Sequence, residues 1–167
     1  MYLGIQKGQV TQDGLTGLNN RRRLDQYMWE LDERSGERET CCYLLMDVNK
    51  FKKVNDTYGH VTGDEVLRLV AEQLKRTFGN MQAFLARYGG DEFVVIVKGK
   101  TQDEMDVIIH QTQENVNAIA WGADTPWQLS ISIGCAMRGE QGKQKSHELL
   151  ALADERMYRQ KKGIQDR

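Results

Sequence analysis

What this sequence has little of narrows its class before any motif is read. Neither charge is in excess: 23 Lys and Arg stand against 24 Asp and Glu, a formal net charge of -1. Such a balance offers no surface field for a polyanion, so nucleic acid is excluded as a bulk partner. Long apolar runs are missing too. Crossing a bilayer takes roughly 20 consecutive apolar residues, nothing here comes near that, and the amino terminus lacks the apolar centre of a signal peptide. The expectation is a soluble, cytoplasmic segment with no membrane contact. Cysteine is scarce: Cys41, Cys42 and Cys135 lie in strand-like apolar stretches without metal-ligand spacing. Adjacent cysteines seldom pair, so buried reduced thiols are expected. Repeats and low-complexity segments are absent. At 167 residues the chain suits one domain.

What is present centres on Arg87 to Phe93, RYGGDEF. Apolar runs flank it, Ala83 to Ala86 and Phe93 to Val97, so it reads as the tip of a β-hairpin. Two glycines suit a tight turn against which a bulky ligand can lie, and a plain structural turn fits the stretch equally well. Before it, Met1 to Gln12 reads as a linker or the end of a helix from a larger protein, and Asp13 to Asn20 as a loop. Leu24, Tyr27, Met28 and Leu31 recur at helical spacing up to about Ser35 and Gly36. Cys42 to Val48 is a continuous apolar run, the pattern of a buried central strand. Phe51 to Gly63 reads as a loop with at most a short helical turn. Thr62 to Glu65 has capping-box form ahead of an amphipathic helix through Leu74. Thr101 with Glu104 forms a second box, opening a helix through Ile119. Leu129 to Cys135 alternates as a half-buried strand, Arg138 to Lys145 reads as an exposed loop, and Ser146 can cap a last helix. This order argues for an α+β fold, a mostly antiparallel central sheet with flanking helices.

Two acidic positions stand where a sheet can bring them together: Asp47 at the end of the first strand, and Asp91 with Glu92 at the hairpin tip. With a peptide carbonyl near Val48 they form an oxygen set suited to a hard cation such as Mg²⁺, which leaves positions for water and substrate phosphates. Taken singly, each acid is equally well a solvated strand end. Between them, Asn55, Asp56, His60 and Asp64 surround Gly59 and Gly63, and Phe51 and Lys52 follow soon after Asp47. A carboxylate accepts two hydrogen bonds from the N1 and N2 edge of guanine, with an amide alongside. Adenine leaves that acid unpaired, a strongly discriminating mismatch. Alternatively Asp64 caps the next helix and Asn55 and Asp56 turn the chain. The residues by themselves leave this open.

Five ordered segments together resemble the GGDEF family of diguanylate cyclases: Asp13 to Arg22 (DGLTGLNNRR), Asp47 to Asp64 (DVNKFKKVNDTYGHVTGD), Arg87 to Phe93, Ser130 to Gly134 (SISIG) and Ala153 to Lys161 (ADERMYRQK). They span nearly the whole chain, with residues 13–167 as the family domain. The resemblance implies a fold shared with class III adenylyl cyclases and the polymerase palm, built on a ferredoxin-like core. It implies condensation of two GTP into cyclic di-GMP with release of two pyrophosphates, each of two copies of the domain holding one GTP. Asp47, the Val48 carbonyl and Asp91 are then the ligands of two divalent ions, Mg²⁺ or Mn²⁺. Asp91 is the candidate proton acceptor, and Glu92 assists it. Asn55 and Asp64 read guanine with His60 nearby, backbone amides at Phe51 and Lys52 cradle phosphates, Lys161 binds phosphate, and Gly89 and Gly90 admit the nucleotide. An amino-terminal sensory segment in a longer protein is implied as well. The competing reading is a silent GTP-binding or interaction module of the same fold. A cyclic di-GMP receptor and a cyclase of other specificity are further alternatives.

The chain also departs from the family pattern. Asn49 stands where a second aspartate is frequent, a position that is not a metal ligand in the family. After Lys161 come Lys162, Gly163, Ile164 and Gln165 instead of Gly-Arg-Asn, which bears on GTP affinity. Where many members carry the Arg-x-x-Asp motif of a product-inhibition site, this chain has Asn80 and Ala83. A neutral amide and a methyl group cannot make the bidentate contacts of arginine and aspartate. Cyclic di-GMP titrated into the purified domain should therefore bind weakly there and leave the initial rate unchanged. Tight binding with strong inhibition at low product would overturn this expectation.

Overall fold

The computed structural model describes residues 10–34, 40–122, 127–139 and 144–165. All eight residues of the first strand, β1 (Cys41–Val48), are buried, because both of its faces are covered. Cys42, Leu44, Met46 and Val48 enter one hydrophobic core, and Cys41, Tyr43 and Leu45 enter another. A strand covered on both faces has no polar face to alternate with, hence its unbroken apolar sequence.

Around β1 the chain runs α1 (Arg21–Glu33), β1, α2 (Phe51–Tyr58), α3 (His60–Phe78), β2 (Ala83–Arg87), β3 (Glu92–Lys98), α4 (Gln102–Asn117), β4 (Ile131–Met137) and α5 (Ser146–Gln165). One sheet forms in the order β2-β3-β1-β4, with every neighbouring pair antiparallel. Residues of α2, α3 and α4 pack on one face, and those of α1 and α5 on the other. The expected α+β architecture is thus the observed one. Among the described residues no helix is long and apolar enough to cross a membrane.

Both sheet edges are closed by groups from outside the sheet, which blunts them against pairing with another chain. Along β2, the Asn19 backbone N–H and Nδ2 both donate to the Leu85 carbonyl (3.2 and 2.9 Å), and the Arg87 N–H donates to the Asn19 carbonyl (2.9 Å). Along β4, the Ile133 N–H donates to Gln160 Oε1 (2.7 Å), while Arg156 Nη1 and Gln113 Nε2 donate to the Cys135 and Ile131 carbonyls (2.6 and 3.3 Å). Two of these three side chains belong to α5, so that helix is pinned to the strand beneath it.

Several sequence expectations change. Phe51 to Tyr58 is a helix, not a loop: only Val54 is buried in it, and two turns with one buried apolar residue are too few to reveal a period. The helix α3 begins at His60 after Gly59, whose φ of +89° breaks the chain direction. Thr62 and Glu65 consequently lie inside α3 and do not cap it. The strand β4 is buried on both faces, with Ser132 at 0% and Ile133 at 5% exposure. Its alternate residues Ser132, Gly134 and Ala136 are small because α5 lies against them. Ser146 is the first residue of α5 and not its cap: it is buried, with its Oγ bonded to Asp32 Oδ1 (2.8 Å) and Tyr43 Oη (2.6 Å), while Glu148 Oε2 accepts the Lys145 N–H (3.2 Å). The box of Thr101 and Glu104 is formed as expected, although α4 stops at Asn117, short of Ile119. Cys41 and Cys42 are buried and Cys135 is half-buried. The expected end of α1 at Ser35 and Gly36, residues 1–9 and the loop positions 140–143 lie outside the described residues.

A Cβ at Gly134 would sit 1.8 Å from the Ala153 carbonyl oxygen and 2.5 Å from the Met157 nitrogen. Both are backbone atoms, so only movement of α5 can relieve the clash. Gly134→Val should cost roughly 1–3 kcal/mol, as overpacking does, read as a lowered urea midpoint at unchanged slope.

Candidate active site

The polar end of the sheet is assembled by strand register. Asp47 lies opposite Glu92 on β3 and opposite Ser132 on β4, and the Val48 N–H donates to the Asp91 carbonyl at 3.3 Å. The adjacency of β1 and β3 therefore brings Asp47, Asp91 and Glu92 together. Asp47 is buried, and an uncompensated buried carboxylate costs several kcal/mol. Compensation comes from the last helix, whose Lys161 Nζ lies 2.8 Å from Asp47 Oδ2. The second oxygen, Oδ1, is buried with no donor other than the proton that the Asp91 carboxyl can share with Asp47.

Burial pushes the Asp91 carboxyl up to about 7, helped by the hydrogen bond and negative charge of Asp47 and opposed by Lys161. Glu92 is raised as well, by burial first and then by the charges of Asp47 and Asp154, against Lys161 and Arg21. A hydrogen bond between two carboxyls needs a proton, so the acids at this end of the sheet cannot all ionise without a compensating cation.

The hairpin tip differs from expectation in one respect. Neither Gly89 nor Gly90 has a positive φ, so the turn itself does not require glycine. Nothing lies within 4 Å of where their Cβ atoms would be, so both stand against open space. The tip is held from behind by Arg87, which donates from Nε and Nη2 to the Gly90 carbonyl (3.1 and 2.8 Å) and from Nη1 to Asp13 (3.3 Å). Burial disfavours ionisation of Asp13, but bonds from Thr16 and the Arg87 charge outweigh it and hold its carboxyl below the usual range. Sequence reasoning gave Asp13 and Arg87 no role. Their signal was the opposite charges carried by two separate motifs.

A second cluster forms where α2 meets α3. Asn55 Oδ1 is buried without a donor, and a Cβ at Gly63 would fall 1.8 Å from that oxygen and 3.3 Å from the Phe51 ring. Gly63 is thus the space that the Asn55 side chain occupies, a role sequence reasoning missed. Asp64 follows it on the exposed side of α3, His60 is exposed at the first residue of α3, and Lys52 is exposed in the first turn of α2. The cap of α2 is Lys50 in the left-handed conformation (φ +57°), with no side-chain bond to the helix start. A lysine at such a φ is uncommon, and it leaves the opening N–H groups of α2 without a side-chain cap.

Asn49 is turned away from the acids: its Nδ2 donates to Ser130 Oγ (2.9 Å) and its Oδ1 accepts from Ser132 Oγ (2.7 Å). Asn80 is exposed, and Ala83 is half-buried against the core. Among the described residues no group of three or more His, Cys, Asp and Glu side chains is placed to hold a metal. Two adjacent carboxylates instead suit a hard cation that takes its other ligands from peptide carbonyl, water and phosphate.

Sheet, hairpin and clustered acids together define an α+β domain of the nucleotide-cyclase type. The model of the family described as "Diguanylate cyclase, GGDEF domain" matches residues 10–167, and the chain belongs to that family. It is 38% identical over 156 residues to the probable diguanylate cyclase DgcI of Escherichia coli K12, covering 90% of this chain and 31% of that protein. It is 33% identical to the diguanylate cyclase DosC of the same strain, covering 95% of this chain and 34% of that one. The chain therefore spans about a third of the length of these two relatives. Among solved structures, the GGDEF domain of DgcB from Caulobacter crescentus, in complex with c-di-GMP, superposes with a TM-score of 0.81 at 30% identity, covering 92% of this chain and 91% of that one.

Because the Asp91 carboxyl keeps its proton well above its ordinary value of 3.8, folding favours the protonated form. The stability this group contributes is complete below about pH 4 and is lost as pH rises through about 7. The metal-free domain should show this loss in urea midpoints measured across that range. Asp91→Asn should flatten that part of the profile.

Proposed function

We propose that this domain condenses two GTP molecules into cyclic di-GMP, with two copies meeting face to face and each contributing one bound GTP. The observation that carries the reading is the gathering of Asp47, Asp91 and Glu92 at one end of the sheet, beside Lys161. The open space at Gly89 and Gly90 and the relatives named as diguanylate cyclases support it.

In this reading Asp47, the Val48 carbonyl and Asp91 hold two divalent ions, Mg²⁺ or Mn²⁺. Bound there, the ions supply Lewis-acid activation of the ribose 3′-hydroxyl and neutralise charge on the triphosphate. Asp91 accepts the proton of that hydroxyl. Glu92 orients water or metal ligands beside it. Asn55 and Asp64 read the guanine edge, Gly63 keeps the Asn55 amide in place, and His60 lines the same cluster. The uncapped N–H groups at the start of α2, around Phe51 and Lys52, together with Lys161, hold the phosphates. Attack on the partner's GTP needs a second copy of the domain, because each half-site presents only one nucleotide. Within a longer protein, a sensory segment ahead of the domain would govern that encounter.

Incubation of the concentrated domain with GTP and Mg²⁺, followed by nucleotide chromatography, should yield cyclic di-GMP at a rate rising faster than linearly with protein. GTP retained unchanged at every concentration would favour a silent binding module. Asp91→Asn should lower turnover by about a hundredfold or more while the circular dichroism spectrum stays the same. Unchanged turnover would remove the assigned base.

A further inference from the structure

We propose that Lys161 holds the place of a divalent cation in the nucleotide-free domain, so that a cation enters only as the Lys161 ammonium leaves Asp47. This inference rests on the cyclase reading of the site. Its geometry is a contact of 2.8 Å between Lys161 Nζ and Asp47 Oδ2, with the two side chains only 27% and 11% exposed. Little water screens such a pair. An ammonium and a divalent ion on one carboxylate repel each other, so the two compete for Asp47. The lysine also leaves the pairing incomplete, since it reaches Oδ2 alone. A monovalent point charge satisfies one oxygen of a site that could accept more.

The helix cannot readily move to make this exchange. Residue 160, beside the lysine, accepts the Ile133 N–H through its Oε1 and also takes a bond from Gln113 Nε2 (3.0 Å), and Gly134 lets the helix lie directly on β4. Only the lysine stem is left to swing, and its four methylenes rotate easily. Triphosphate oxygens arriving with the nucleotide offer the ammonium a new partner at the moment the cation takes its old one. Metal and nucleotide should therefore enter together, with Lys161 passing from carboxylate to phosphate.

The test is binding of Mn²⁺ alone, followed by electron paramagnetic resonance of the free ion, in wild type, Lys161→Met and Lys161→Gln without nucleotide. Both variants should bind Mn²⁺ at least about tenfold more tightly than wild type, and Asp47→Asn should remove that binding. Equal affinity in wild type and variants would overturn the proposal and leave the metal site standing. No Mn²⁺ bound by any of these proteins, even with a non-hydrolysable GTP analogue added, would overturn the cyclase reading along with it. Wild-type protein labelled with ¹³C-lysine gives a readout that needs no variant: the Lys161 Cε resonance should move in step with Mg²⁺ occupancy. A resonance that stays fixed while Mg²⁺ fills the site would also overturn the proposal.

Discussion

The structure turns on one charge, the carboxylate of Asp47 at the buried end of the central strand. Its position follows from β1 being covered on both faces, which leaves the strand's last acid little water. A charge so placed needs a counter-charge from the fold, and the ammonium of Lys161 supplies it from the opposite end of the sequence. Much of the architecture serves that meeting. The register of β1 with β3 brings Glu92 and Asp91 alongside, and the glycine of β4 lets α5 come close enough for its lysine to reach.

The same arrangement accounts for the electrostatics of the acids. Asp91 and Glu92 resist ionisation because they are partly buried and face Asp47, and Lys161 relieves only part of this. A site left short of positive charge in this way favours an incoming cation without a preformed protein cage. The hairpin tip that presents the acids is braced independently: Arg87 spans from the Gly90 carbonyl to Asp13, and Asn19 closes the β2 edge. The segment ahead of α1 is thereby joined to the tip through side chains.

Much of the fold was legible in the residues, and the failures share a cause. The unbroken apolar run of β1, the hairpin around Gly89 and Gly90 and the capping box at Thr101 are local patterns, and each formed. The helix α2 was missed because two turns with a single buried residue carry no readable period. The box at Thr62 was overruled by Gly59, three residues ahead of it in the chain. Ser146 has the chemistry of a cap but is bonded to Asp32 and Tyr43, partners more than 100 residues away. In the site, acids and lysine were recognisable as residue types. Gly63, Gly134 and Arg87 were not given their tasks, since each acts on a group brought near only by folding.

By itself the sequence determined the class of sheet, the family and the residues able to do chemistry, because periodicity, turn residues and ordered motifs are properties of neighbours along the chain. Tertiary structure alone decided that Lys161 rests on one oxygen of Asp47 and that the hairpin glycines face open space. It also decided that Asn55 is housed by the missing side chain of Gly63. Each of these is a distance between residues far apart in sequence or a consequence of burial. Burial and long-range distance exist only once two cores have closed over the sheet.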